Sequence, residues 1–216
     1  MAARKVSNLL GLAVLSYLVQ KPQHPYELGR TLKHNDDGRS IKYNHGSLYM
    51  VFEQLHRAGF IEEVESQREG NRPERTVYAL TGAGRVEQRE WMRDLVEEPQ
   101  HEHPRFVAAL SLIAALHPDD VVELLTKRLT RLDERRTKIH HLIDDTIAKG
   151  SAPLFLIEEE YRLALLDAER SFVEGFIARI TDPVDGWRDS WAAALEQFSR
   201  DQQTDRPHQT TKGPKT

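Results

Sequence analysis

The sequence predicts a mainly α chain with a small β-hairpin: an N-terminal winged helix-turn-helix domain followed by a C-terminal antiparallel helical, coiled-coil-like dimerisation domain. Three observations carry that expectation. Residues 42–81 read as a polar turn, a short helix and two strand-like runs joined by a basic loop. A polar, proline-bounded stretch, Glu98-Pro99-Gln100-His101-Glu102-His103-Pro104, follows at the end of the next helix pattern. Beyond it, apolar residues recur at mostly alternating spacings of four and three. With 216 residues, 39% of them hydrophobic, the chain has enough material for one large core or two small ones.

The elements follow in order. Arg4 and Lys5 precede an apolar run from Leu9 to Val19 that imitates a secretory leader, but no small-residue cleavage pattern follows. The run is too short to span a bilayer, so it predicts a buried first helix over residues 7–19 and no membrane segment. Pro25 opens a second helix, Tyr26 to about His34, with Leu28 and Leu32 inward, and Asn35-Asp36-Asp37-Gly38 closes it. The third helix covers residues 46–58, with Leu48, Phe52 and Leu55 on one face and Gly59 as its stop. Ser47, Met50, Gln54 and Arg57 face the other way. Ile61 to Ser66 and Thr76 to Leu80 predict paired strands around a wing loop. Thr81 suits the N-cap of a fourth helix that carries Val86, Trp91, Met92, Leu95 and Val96.

In the second half Phe106, Leu110, Ile113 and Leu116 make one stripe, and Val122, Leu125, Leu129, Leu132, Ile139 and Ile143 make a seam after Pro118. Arg136 falls where the next apolar residue is due, so it needs a partner, water or a route outward. Gly150 ends that helix. A partner helix over residues 152–180 carries Ile157, Tyr161, Leu165, Phe172 and Phe176, with Leu166, Val173 and Ile177 widening its apolar face beyond a two-strand seam. Dimerisation is the natural use of that surplus. The expected organisation is a reading domain at 1–98, a linker at 99–104, a helical dimerisation and effector domain at 105–200, and a disordered tail at 201–216.

The absence of cysteine excludes disulfides, thiolate metal sites and cysteine nucleophiles, and fits a cytoplasmic protein. The net charge of -4 gives no whole-chain nucleic-acid signature, so any DNA site is a local patch. A major-groove reader needs a rigid helix whose outer N-terminal face is small or polar. Asn44, His45, Ser47 and Met50 are the candidates for groove contact, with Gln54 further along. Lys42 and Tyr43 sit beside the helix N-terminus, whose free N–H groups suit a phosphate. Arg68, Arg72 and Arg75 on the wing suit backbone phosphates in or beside the minor groove of double-stranded DNA. Glu62, Glu63, Glu65, Glu69 and Glu74 dilute that charge, and on charge alone a head that docks a protein partner fits equally well.

Several blocks then agree in order: Leu9-Leu10-Gly11-Leu12, Tyr26-Glu27-Leu28, Gly46-Ser47-Leu48-Tyr49, Leu55 with Gly59, and Val77-Tyr78-Ala79-Leu80-Thr81-Gly82-Ala83-Gly84. From Leu9 to Trp91 the chain resembles the PadR family of transcriptional regulators, and its second half is similar to the helical domain of the longer members. That resemblance implies a homodimer that represses transcription from a palindromic operator and is released by a small molecule. It also implies that the Tyr26 and Tyr49 hydroxyls lie near phosphate and that Gly46 and Ser47 permit close approach. Met50 departs from the family pattern, in which proline is frequent after the tyrosine.

No enzyme is expected, for no nucleophile motif, phosphate-binding glycine loop or acid–base pair stands out. His101-Glu102-His103 and His140-His141 lack the spacing that puts two imidazoles on one helix face, so no metal or other cofactor is expected either. Trp91, Phe106, Tyr161, Phe172, Trp187 and Trp191 are the candidates for contact with a small aromatic or apolar effector, in a cavity between reading heads and dimer helices.

Overall fold

The computed structural model describes residues 4–35, 37–67 and 75–204. The wing candidates Arg68 and Arg72 and residues 205–216 of the expected tail lie outside the described residues; Arg75 is described in its backbone only. The chain divides into two units between Glu102 and His103.

The N-terminal unit contains α1 (Leu9–Leu18), α2 (Pro25–His34), α3 (His45–Arg57), β1 (Ile61–Gln67), β2 (Arg75–Leu80) and α4 (Gly82–Glu97). α1 is apolar almost all round because it is central: Leu10, Val14 and Leu15 are wholly buried against Leu28, Leu48, Phe52 and Leu55. α2 begins at His24, whose Nδ1 accepts a hydrogen bond from the Tyr26 backbone N–H at 3.0 Å, with Pro25 at the first-turn position that lacks a donor. α3 ends at Ala58, after which Gly59 takes a left-handed φ of +79°.

β1 and β2 pair antiparallel from Ile61 opposite Leu80 to Gln67 opposite Arg75, with a bulge between Glu63 and Glu65. Gln23 adds a bridge on the other side of β2: its N–H donates to the Tyr78 carbonyl at 3.0 Å and its carbonyl accepts from Tyr78 N–H at 3.1 Å. That bridge ties the α1–α2 connection to the hairpin. Burial, followed by the neighbouring Glu63, raises the Tyr78 phenol above its ordinary value, so the hydroxyl stays protonated and donates to Glu63 Oε1 at 3.4 Å. Thr81 caps α4 by accepting from Gly84 N–H at 3.0 Å. A Cβ at Gly84 would run into the Phe60 carbonyl oxygen, so only glycine lets α4 start this close to the chain below.

The C-terminal unit contains α5 (Arg105–Ser111), α6 (Pro118–Ala148), α7 (Ile157–Thr181) and α8 (Arg188–Thr204). α6 and α7 are antiparallel: Val121 and Leu125 near the start of α6 cluster with Val173, Phe176 and Ile180 near the end of α7. The buried register on α6 runs through Val121, Leu125, Leu132 and Ile139, so Val121 takes the inward place expected of Val122, which is half-buried. Arg136 finds its partner across the pair in Asp167, at 2.5 Å. Arg170 and Asp133, 3.0 Å apart, add a second cross-helix ion pair. The segment from Pro153 to Leu156 forms a tight 3-10 turn rather than the first turn of α7, because Leu156 departs from helical geometry at φ −125° and ψ 7°. α8 continues through Thr204, past the expected boundary at residue 200, since no proline interrupts it there. Among the described residues no helix is long and apolar enough to cross a membrane.

Candidate nucleic-acid interface

The outer surface of α3 begins with a reciprocal cap. Asn44 Oδ1 accepts from the Ser47 N–H at 2.8 Å, and Ser47 Oγ accepts from the Asn44 N–H at the same distance. Ser47 Oγ also lies 2.8 Å from the Asn44 carbonyl, to which it donates. Both side chains are therefore engaged in starting the helix, and Ser47 has only a lone pair left for anything outside. Asn44 keeps its amide donors. A Cβ at Gly46 would meet nothing nearer than Asn44 Oδ1 at 3.5 Å, so packing within the chain does not require glycine there.

Behind the cap α3 is held by Leu48, Val51, Phe52 and Leu55, all buried. Gly29 of α2 lets the two helices approach: a Cβ on it would come within 3.2 Å of Leu48 Cδ2 and 3.7 Å of His45 Cε1. Across this crossing the rings interleave. Tyr26 stacks with His45 at 6.3 Å between centroids and 20° between planes, while His24 meets Tyr49 edge-on at 6.3 Å and 74°. The exposed surface thus carries Tyr26, His45, Gly46, Tyr49, Met50 and Gln54, with Met50 at 62% more open than Tyr26 or Tyr49.

Lys42 is exposed beside the start of α3, while Tyr43 is half-buried and its ring packs on the core. Arg75 is the first residue of β2, and residues 68–74 between the strands lie outside the described residues. Three features of the surface had not been read from the sequence. Arg30 and Lys33 are exposed on α2, the helix that precedes the reader, and their i,i+3 spacing was the available signal. His24 caps the start of α2 through its ring nitrogen. Glu53 sits on the open face of α3, paired with Arg57 at 3.1 Å, which tempers its charge.

The six aromatic candidates for effector contact are distributed. Trp91 is 4% exposed inside the N-terminal unit, where Gly11 of α1 faces its ring and the Arg4 guanidinium lies 5.3 Å from the ring centre. Arg4 is fixed there by Glu87 and Asp94. The other five lie in the C-terminal unit. Phe106 lines a groove of about 550 Å³ between α5 and α6 and is covered by the Arg128 guanidinium at 3.6 Å. Phe172 and Trp187 flank Phe176 at 6.0 and 6.2 Å, Trp191 donates its indole N–H to the Ala114 carbonyl at 3.2 Å, and Tyr161 is exposed. Among the described residues no group of three or more His, Cys, Asp or Glu side chains is placed to hold a metal.

Residues 14–90 match the model of the Transcriptional regulator PadR-like family. No curated protein matches the chain. Among solved structures the chain is similar to Bacillus subtilis PadR in complex with operator DNA, at 20% identity and a TM-score of 0.64, over 79% of this chain and 98% of that one. It is similar to B. subtilis PadR in complex with p-coumaric acid at 19% identity and a TM-score of 0.65, again over 79% and 98%. The smu.1604c protein from Streptococcus mutans UA159 matches at 22% identity and a TM-score of 0.53, over 80% and 99%. At these identities the likeness is one of fold.

Proposed function

We propose that this chain, which carries a PadR-like domain at residues 14–90, is a DNA-binding transcriptional regulator that acts in the cytoplasm as a homodimeric repressor on a palindromic operator and performs no catalysis. The observation that carries the reading is the start of α3: a rigid, capped helix whose apolar side is buried and whose open side presents His45, Gly46, Tyr49 and Met50. In this reading Met50, His45 and the free amide of Asn44 face base edges. Gly46 and Ser47 let the duplex approach, and Tyr26, Tyr49, Lys42 and Tyr43 contact phosphates, joined by Arg30 and Lys33 from α2. The wing arginines Arg68, Arg72 and Arg75 contribute charge to the backbone.

Release is assigned to a small aromatic or apolar effector. The B. subtilis structure with p-coumaric acid makes phenolic acids the first compounds to try. Phe106, Tyr161, Phe172, Trp187 and Trp191 are the proposed contacts, and Trp91 is reassigned to packing because the head buries it. An effector alters DNA affinity only if it prefers one spacing of the two heads.

The competing reading, a head that docks a protein, draws on the exposed Glu53 of α3 and the exposed Glu62 and Glu63 of β1. Selection of bound duplexes from a random pool separates the two. The regulator reading predicts recovery of a palindrome with half-sites about 34–36 Å apart. Recovery of no motif from a folded protein would contradict it.

A further inference from the structure

The groove of about 550 Å³ between α5 and α6 is charged along one part of its length only. Val121, Leu124, Arg128, Arg131 and Arg135 follow one another along α6 at spacings of three and four, so they share one stripe of the helix, and all five line the groove. Partway along, that stripe changes from apolar to cationic. Among the described residues every charged side chain lining the groove is an arginine. Arg128 is engaged by Glu169 and by the face of Phe106, whereas Arg131 and Arg135 are exposed. Like charges one turn apart disfavour a helix, so an anion between Arg131 and Arg135 would relieve their repulsion.

The apolar end is aliphatic and open. Leu116 lies just before the start of α6, and Leu112 and Leu124 are 72% and 52% exposed. Phe106 offers an aromatic ligand little to stack on, because the Arg128 guanidinium covers its face. From Val121 to Arg135 the stripe spans about 21 Å, given a rise of about 1.5 Å per residue. At about 30 Å³ for a methylene, close to the share of a water molecule, the volume holds roughly eighteen carbons. That suits one acyl chain and not the two of a phospholipid.

We propose that this groove binds one long-chain fatty acid, its carboxylate held by Arg131 and Arg135 and its tail laid along Leu124 toward Leu116. The guanidinium groups present N–H donors in the planar fork that a carboxylate accepts. Burial of the tail supplies the affinity, and the two arginines set its direction. As an effector site the groove rests on the release reading above, and it names an aliphatic acid as the ligand in place of an aromatic one.

Titration of the full chain with cis-parinaric acid, whose polyene fluorescence rises in apolar surroundings, tests the site. Saturable binding is expected, with palmitate displacing the probe and octanoate displacing it about a hundredfold or more weakly, because a shorter tail buries fewer methylenes. Hexadecanol, which has the tail without the charge, is expected to compete about tenfold or more weakly than palmitate. Arg131→Gln/Arg135→Gln should remove that difference between acid and alcohol, and Leu124→Gln should weaken both alike. All three positions are exposed on α6, so both variants are expected to keep the helical circular dichroism of the parent. Absence of saturable binding, binding that neither variant changes, or tighter competition by p-coumaric acid than by palmitate overturns the site. A chain that ignores the probe and whose dimer is dissociated by Leu124→Gln gives the groove to a second copy, which overturns it as well. Probe bound without any change in DNA affinity keeps the site and removes release through it. Release from DNA by p-coumaric acid with no probe bound keeps release and overturns the site.

Discussion

Asn44 and Ser47 hold each other's backbone N–H, so each reports on helix formation before it reports on DNA. Asn44→Ala is expected to cost about 1 kcal/mol of head stability. It should weaken cognate and random DNA alike, whereas Asn44→Asp keeps the acceptor and the melting temperature while opposing the phosphates. Thermal melts paired with DNA titrations decide the matter. An Asn44→Ala protein with unchanged melting and altered sequence preference would make Asn44 a base reader alone. Met50, open and without structural duty, should behave oppositely: Met50→Ala leaves stability within about 0.5 kcal/mol and shifts base preference. At this scale the sequence disclosed which residues face inward, since Leu48, Phe52 and Leu55 fall on one side of any helix. The division between Asn44 and Met50 was less visible. An Asn three residues before a Ser at a helix start signals a cap, but the same residue types also suit groove contact. Trp91 shows the same ambiguity: a large aromatic reads equally as pocket wall or core, and only Gly11 and Arg4 beside it decide for core.

Between elements, the α6–α7 pair offers the clearest test. Arg136 interrupts the seam and is paired with Asp167, both partly exposed, so the ion pair contributes about 0–1 kcal/mol. Arg136→Leu would continue the apolar seam and is expected to leave the melting of the C-terminal unit unchanged or raise it. By contrast, Leu132→Ala, at a site 2% exposed, should cost about 2–5 kcal/mol. If Arg136→Leu proved as damaging as Leu132→Ala, the cation would hold a buried role that the pairing does not account for. Helices of this length announce themselves through periodicity, and α6 and α7 were accordingly legible. The Gln23 bridge to β2 was not, because a single paired residue leaves no period to read. Nor was the 3-10 turn at Pro153–Leu156, which separates from α7 through the backbone angles of one residue.

At the scale of the whole molecule the chain carries net charge -4, so in the proposed reading attraction to DNA rests on the placement of a few cations rather than on bulk charge. Each lysine or arginine that neutralises a phosphate adds about 0.9 to the steepness of binding against salt on duplex DNA. Lys42→Ala and Arg75→Ala should therefore each flatten the salt dependence by about one unit and weaken all sequences in proportion. The chain divides between Glu102 and His103, within the proline-bounded stretch that the sequence marks as a linker, whereas the proposed homodimer has no local signature in one sequence beyond surplus apolar surface. The most direct single measurement is the affinity of the full chain for a duplex recovered by selection, set against a scrambled duplex across a salt series. A steep salt slope on both, with the selected duplex bound about a thousandfold or more tighter, is the result the account predicts. Equal affinity for both duplexes, or a flat response to salt, would contradict it.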